Sequence, residues 1–154
     1  MKKGDRGLLF MENSPQFVIG YYAILRADAA VVPVDPMNRS EELRHYVEDS
    51  GAAVVLAGQE LWPQVEPLLA STGLRQCVLA AYSDYIAART DLPLPDIVPA
   101  PRFSPERPSV TPWAHSLGAT ARPTPHPPGH ADLALVTLIP AATGHARAPV
   151  SPPQ

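Results

Sequence analysis

The chain has 154 residues, enough for one domain with a hydrophobic core but few for an enzyme that closes two domains over two substrates. Its 12 basic and 15 acidic side chains give a formal charge of -3, which excludes the basic surface that nucleic-acid binding requires. The longest mainly apolar run, Phe17–Leu25, is too short to span a membrane, and no signal-peptide core follows Met1. Cys77 is the one cysteine in the sequence, so no internal disulfide is possible and a cytoplasmic location is expected.

The first ninety residues alternate short apolar runs with amphipathic segments, a pattern that indicates a parallel sheet with crossover helices. Ser14 and Pro15 predict a helix start, and the following apolar residues predict a helix to about Arg26 that is packed on most of its sides. The other predicted elements are strands at Gly7–Met11, Ala30–Val34, Ala53–Ala57 and Gln76–Ala80, helices at Glu41–Ser50 (capped by Ser40 and stopped by Gly51) and Glu60–Ser71, and a short helix at Tyr82–Ala88. Pro33 predicts that its strand lies at a sheet edge or ends there.

The second half differs in composition, because 15 of the 20 prolines lie from Pro93 onward. We predict a Pro-rich connection over residues 93–139 that is mostly loop, with one or two helical turns at Thr111–Leu117 and one further strand at Leu133–Ile139. Residues 140–154 are predicted to be a disordered tail. The predicted division is therefore an α/β core at 1–92, the connection and the tail.

One pair of histidines has a spacing typical of metal ligands. His126 and His130 would lie on one face of a helix, but Pro127 and Pro128 between them oppose a helix. No metal site is therefore predicted.

Other side chains that could carry chemistry lack a supporting pattern. His45 lies among acidic residues and is interpreted as part of a solvated helix face. Neither Ser14 nor Cys77 has the sequence context of an activated nucleophile, and the glycines form neither of two common phosphate-binding signatures. A generic flavodoxin-like domain is set aside because no phosphate-binding turn follows the first strand.

Three segments of the first half carry motifs of a known family. They are Gly4–Phe17 (GDRGLLFMENSPQF), Ala23–Pro36 (AILRADAAVVPVDP) and Asn38–Ala52. In this order they resemble the opening of the AMP-forming acyl-CoA ligases, most of all the long-chain fatty-acid-CoA ligases, and the resemblance extends from Gly4 to about Ile139. It implies an α/β fold with a partial, mainly parallel sheet and flanking helices, like the start of the large N-terminal domain of those adenylate-forming enzymes.

The same resemblance places the family's phosphate loop at Ala141–Ser151, where only Gly144 and Pro149 match. Gly144 is therefore the one cofactor-binding residue that the resemblance carries over, as a remnant of that loop, and no catalytic residue or metal ligand is assigned. Full-length relatives would use ATP, Mg²⁺ and coenzyme A to convert a carboxylic acid into an acyl-adenylate and then into acyl-CoA. This chain is expected to bind none of them and to be inactive alone.

The resemblance leaves two origins open, a shifted reading frame near Thr137 or a genuine truncated gene. The expected partner of the family is a small-molecule carboxylic acid, with no nucleic acid and no membrane span. The alternative function is a non-catalytic binding module, or a self-associating one that uses an exposed sheet edge and an uncovered apolar face.

Overall fold

A computed structural model describes residues 1–88, 91–118 and 134–137. Its strands are β1 (Arg6–Phe10), β2 (Ala30–Pro33), β3 (Val54–Gly58), β4 (Gln76–Ala80) and β5 (Val110–Pro112), and its helices are α1 (Pro15–Arg26), α2 (Ser40–Ser50), α3 (Trp62–Ser71) and α4 (Trp113–Leu117). All strand pairs are parallel, in the order β2-β1-β3-β4-β5. The predicted α/β fold with a parallel sheet and flanking helices is confirmed.

Both faces of the sheet are buried, which explains why its strands read as continuous apolar runs. Along β1, Leu8 and Phe10 point into one core cluster, which also contains buried residues of α2 and α3. Leu9 and Met11 point into a second cluster with α1 and α4. The protein is therefore a three-layer structure, with α2 and α3 on one side of the sheet and α1 and α4 on the other.

Helix α1 begins as the sequence predicts. The Ser14 hydroxyl oxygen accepts a hydrogen bond from the Phe17 backbone N–H at 3.2 Å, and Pro15 occupies the first turn. The buried side of the helix lies close against the sheet at Gly20, where an added Cβ would lie 2.8 Å from Leu56 Cδ2. A residue without a side chain at this position therefore allows α1 to approach β3.

The outer side of α1 differs from the prediction. We expected packing on most sides, but Val18 and Tyr22 are 54% and 65% exposed. Apolar composition indicated burial correctly for the inner face, where Ile24 is buried, and wrongly for the outer one.

Helix α2 is capped differently from the prediction. The structure begins the helix at Ser40, and the Glu42 carboxylate accepts a hydrogen bond from the backbone N–H of Arg39 at 2.6 Å. Ser40 does not cap the helix, because it forms the first helical residue itself. Gly51 ends the helix with φ 65°, which confirms the predicted stop.

The Pro-rich connection contains more regular structure than the sequence predicts. β5 pairs with β4, and α4 follows it directly with Trp113 only 3% exposed. The predicted helical turns at Thr111–Leu117 are thus a strand end followed by one short helix. Within the predicted strand at Leu133–Ile139, Leu135 forms a single parallel bridge to Val31 of β2.

The strand order β2-β1-β3-β4-β5 is that of a flavodoxin-like doubly wound sheet. The sequence has no phosphate-binding turn after β1, and for this reason we set aside a flavodoxin-like domain. The missing turn excludes a phosphate site at that position, but it does not exclude this strand order. Pro33 is the last residue of β2, which confirms the predicted strand end at this proline. Among the helices that the structure describes, none is long and apolar enough to cross a membrane.

Candidate functional site

The carboxyl ends of β1, β3 and β4 lie side by side and carry polar residues. The chain leaves β1 toward β2 on one side, whereas β3 lies on the other, so the strand order reverses between β1 and β3. In open parallel sheets, ligands bind in the crevice outside the carboxyl ends at such a reversal. Glu12 follows β1, Glu60 follows β3 and Tyr82 follows β4. This edge is the candidate site.

The Tyr82 hydroxyl connects the three strand ends. It accepts a hydrogen bond from the backbone N–H of Glu12 at 2.9 Å and donates one to Glu60 Oε1 at 2.8 Å. Gly58 leaves room for this contact, because an added Cβ there would lie 2.6 Å from both the Tyr82 hydroxyl oxygen and Glu60 Oε2. A side chain at the end of β3 would therefore displace this contact, although the φ of Gly58 is negative and open to other residues.

The electrostatics of this cluster favour uncharged groups. Burial raises the pKa of the Glu60 carboxyl above its ordinary value, and the negative charge of Glu12 acts in the same direction against the opposing hydrogen bond from Tyr82. Burial also raises the pKa of the Tyr82 phenol, as does its hydrogen bond to Glu60. Tyr82 consequently stays a neutral donor, and Glu60 Oε2 has no hydrogen-bond partner among the described residues.

Gln16 supports the same edge from α1. Its side chain is fully buried, and Nε2 donates a hydrogen bond to the backbone carbonyl oxygen of Ala81 at 2.9 Å. This bond attaches the first turn of α1 to the end of β4. Within the described part of the chain, Gln16 Oε1 has no partner.

A cavity of about 260 Å³ lies beside Glu60 and is lined by Gln59, Glu60, Asp96, Ile97, Ala100 and Phe103. Gln59 fixes the loop that forms its wall: Nε2 donates to the Pro101 carbonyl oxygen at 2.9 Å, and Oε1 accepts from the Phe103 N–H at 2.8 Å. The volume falls slightly below the range of about 300 to 1,000 Å³ that is usual for sites of drug-sized ligands. Its two acidic side chains disfavour an anionic group.

Those charges make this edge unsuitable for a nucleoside triphosphate. Phosphates need backbone N–H groups or cations, whereas this edge presents the carboxyl groups of Glu12 and Glu60. Arg102 and Arg107 are engaged elsewhere, in ion pairs with Asp84 and Glu66 respectively. No group of three metal-ligating side chains occurs in residues 1–88, 91–118 and 134–137. The described residues therefore do not fit the ATP, Mg²⁺ or coenzyme A that the family resemblance implies.

The residues considered in the sequence are distributed as follows. Gly144, with the whole predicted phosphate loop, lies outside the described residues, and so do His126 and His130. His45 is exposed on α2 and Ser14 caps α1. Cys77 is fully buried in the core, and this burial raises the pKa of its thiol to about 12, so it is not an activated nucleophile.

The sequence interpretation missed the cluster of Glu12, Glu60 and Tyr82. No short motif contains more than one of the three, because 22 residues or more separate each from the next along the chain. A usable signal was present nonetheless: each lies within three residues of the end of a predicted strand of a parallel sheet, and such positions meet at one edge.

An open parallel α/β sheet with its polar residues at the carboxyl edge is the framework of many nucleotide-dependent enzymes. The model of one such family, described as AMP-binding enzyme, matches residues 1–137. The chain therefore belongs to the AMP-binding enzyme family, as the sequence motifs indicate.

Individual relatives agree with this assignment. The chain is 33% identical over 87 residues to a long-chain-fatty-acid–CoA ligase of Salmonella typhimurium, a match that covers 56% of this chain and 16% of that ligase. It is 26% identical over 130 residues to a 3-hydroxybenzoate–CoA ligase of Aromatoleum sp. strain CIB, which covers 79% of this chain and 24% of that relative. These matches thus span less than a quarter of the length of either relative.

A solved structure gives the same fold. The chain superimposes on an acyl-CoA synthetase of Brucella canis with a TM-score of 0.70, over 96% of this chain and 23% of that protein. Sequence identity over this comparison is 14%, so the likeness shows the fold alone.

Proposed function

We propose that this chain is the opening part of an ATP-dependent long-chain fatty-acid–CoA ligase, and that it is inactive when it stands alone. The observation that carries the proposal is the 87-residue match to the Salmonella typhimurium ligase, which covers 56% of this chain but only 16% of that relative. The sheet and its two helical layers would then be a structural part of the ligase and not its reaction centre.

In a full-length relative the substrate would be a carboxylic acid, with ATP supplying the adenylate, Mg²⁺ neutralising phosphate charge and coenzyme A accepting the acyl group. We place none of these on the described residues, because their acidic edge does not suit phosphates. A cytoplasmic location and the truncated state belong to the same proposal. Self-association through the exposed sheet edge stays a prediction.

A chimeric enzyme tests the positive part of the proposal. The matching stretch of the Salmonella typhimurium ligase is replaced by the corresponding residues of this chain, and fatty acyl-CoA formation is measured. Because that stretch supplies the sheet and not the reaction centre, we expect activity within about tenfold of the parent ligase, equivalent to about 1.4 kcal/mol.

The matched control is the same chimera with Gly20→Leu. Its side chain would collide with Leu56 and Leu9, so α1 could not approach the sheet and both folding and activity should be lost. A chimera that folds cooperatively and forms no acyl-CoA would show that this segment is not interchangeable with the opening of a ligase.

A further inference from the structure

Helix α1 is apolar on both sides, although only one side faces the sheet. Its inner face is buried, whereas Val18, Ile19 and Tyr22 on the outer face are 54%, 37% and 65% exposed. A helix that is apolar all round is normally buried between two layers. The outer face of α1 is therefore a candidate contact surface.

Other apolar side chains on the same side of the sheet are also exposed. Trp113 of α4 lies against α1 in the same core cluster, and its Nε1–H donates a hydrogen bond to the Tyr85 hydroxyl at 3.4 Å. Tyr85 and Ile86 are each 38% exposed, and Leu117 is 56% exposed. We call the three residues Val18, Ile19 and Tyr22 on the outer side of α1 the α1 face.

The opposite helical layer has a different character. No large apolar side chain of α2 or α3 is exposed in the structure, and the outer side of α2 carries Glu41, His45 and Glu48. Since the two layers cover the same sheet, the difference is specific to the α1 side. The layer of α2 and α3 presents a polar surface to water, whereas the α1 layer presents an apolar surface that is suited to a protein contact.

Charges at the two ends of α1 are complementary. Glu12 precedes the helix and Arg26 ends it; both are exposed, and neither forms an ion pair with the residues that the structure describes. If two copies of α1 lie antiparallel and their outer faces cross near Ile19, Arg26 of one copy lies about 10 Å from the crossing point and beside the segment that precedes the other helix. Arg26 of each copy can then pair with Glu12 of the other.

We propose that the α1 face is the interface of a weak homodimer in which two copies of the chain pack α1 antiparallel against α1. An isologous pair of this kind is self-complementary in both its apolar and its charged groups. α1 is only about 18 Å long, so the contact is smaller than the roughly 800 Å² per partner of a standard stable interface, and we expect micromolar affinity. This proposal concerns a partner of the chain and does not depend on the ligase function.

The dimer is distinct from pairing at the sheet edge. At β2, the backbone N–H of Val31 donates to the Ala134 carbonyl oxygen at 3.0 Å, and the Val136 N–H donates to the Val31 carbonyl oxygen at 2.9 Å. Residues 134–137 thus already use part of the β2 edge. The α1 face has no such cover from the described residues.

Analytical ultracentrifugation of the full chain from about 1 to about 100 µM, the range expected for an interface of this size, tests the proposal. We expect a concentration-dependent dimer that Tyr22→Glu abolishes, because it places a charge in the apolar contact. Ala70→Glu is the matched control on the exposed side of α3 and should leave the dimer intact. A monomer at every concentration, or a dimer unaffected by Tyr22→Glu, would overturn the proposal.

A charge exchange tests the antiparallel arrangement. Glu12→Arg and Arg26→Glu should each weaken the dimer, and the double variant should restore it, because it exchanges the two ends of each ion pair. Additive weakening in the double variant would contradict the arrangement.

Cross-linking gives a second readout if the chain forms larger species at high concentration. Ile19→Cys places a thiol near the crossing point, so diamide should produce a disulfide-linked dimer in dilute solution, whereas Ala70→Cys should not. Cys77 does not interfere, since it is fully buried. Equal cross-linking of the two variants would overturn the proposal.

Discussion

The Tyr82 hydroxyl donates a 2.8 Å hydrogen bond to Glu60 Oε1 and thereby joins the end of β4 to the end of β3. The same hydroxyl accepts from the Glu12 N–H, so one side chain connects three parallel strands. These strand ends form the edge at which open α/β sheets bind ligands. In this protein a hydrogen-bonded, partly buried pair of side chains instead occupies that edge.

The first prediction concerns that contact. Tyr82→Phe removes the hydroxyl, so the Glu12 N–H and the Glu60 carboxyl lose their partner while the ring still fills its space. We expect the free energy of unfolding to fall by about 1 to 3 kcal/mol, measured by urea denaturation. Tyr22→Phe, at an exposed hydroxyl on α1, is the control and should change stability by less than about 0.5 kcal/mol. Equal effects would show that the Tyr82 hydroxyl contributes nothing specific.

The second prediction concerns pH. Since the folded-state pKa of Glu60 is raised above 4.5, the folded protein binds this proton more tightly than the unfolded chain does. The stabilisation is present below the unfolded-state pKa and is lost as pH rises through the folded-state value. In Glu60→Gln the side chain is uncharged at every pH and still accepts the hydrogen bond from Tyr82. The free energy of unfolding of this variant, relative to that of the parent chain, should therefore increase from pH 4 to pH 8. Urea denaturation across this range measures it, and a difference that shrinks with rising pH would contradict the raised pKa.

The third prediction concerns the glycine at the end of β3. Gly58→Ala brings a methyl group to 2.6 Å from the Tyr82 hydroxyl oxygen, so the cluster must shift, and we expect a loss of about 1 to 3 kcal/mol. Gly73→Ala is the matched control, because an added Cβ there meets nothing within 4 Å. It should be neutral or stabilise the protein slightly. Thermal unfolding of both variants is the measurement, and an equal change of stability in both would mean that the close contact at Gly58 contributes no specific cost.

The fourth prediction concerns Cys77. Its thiol is fully buried with a pKa of about 12, so the native protein should react with Ellman's reagent at pH 8 far more slowly than the urea-unfolded chain. Labelling should follow the opening of the core and accelerate in Tyr82→Phe to the extent that this variant is destabilised. Rapid, complete labelling of the folded chain would show that the core around β4 is open.

The sequence predicted the sheet well because burial on both faces leaves a strong local signal. Gln76–Ala80 is predicted with its observed bounds, and the other three strands predicted in the first ninety residues differ from the observed ones by a residue at one end or both, the usual uncertainty of strand and helix ends. β5 was missed because its three residues lie among prolines, so its place depends on the contact with β4 and on burial of Trp113. Local patterns do not record such contacts between distant segments.

The candidate site was less predictable than the fold. Glu60 and Tyr82 are 22 residues apart, and only the parallel pairing of β3 with β4 brings them together. The prediction that α1 is packed on most of its sides was wrong for a different reason. Apolar composition indicates that a surface is suited to burial, but it does not say what buries it. The family motifs indicate the class of protein directly, without any knowledge of the candidate site or of the outer face of α1.

The most direct measurement of the central claim is fatty-acid-dependent exchange of radiolabelled pyrophosphate into ATP by the purified chain. Adenylation requires charge stabilisation on the separating phosphates, and the acidic edge formed by Glu12 and Glu60 offers none. The account predicts no exchange above a buffer control with Mg²⁺, ATP and a long-chain fatty acid present. Exchange that required both ATP and the fatty acid, and that persisted in preparations free of host ligase, would contradict it.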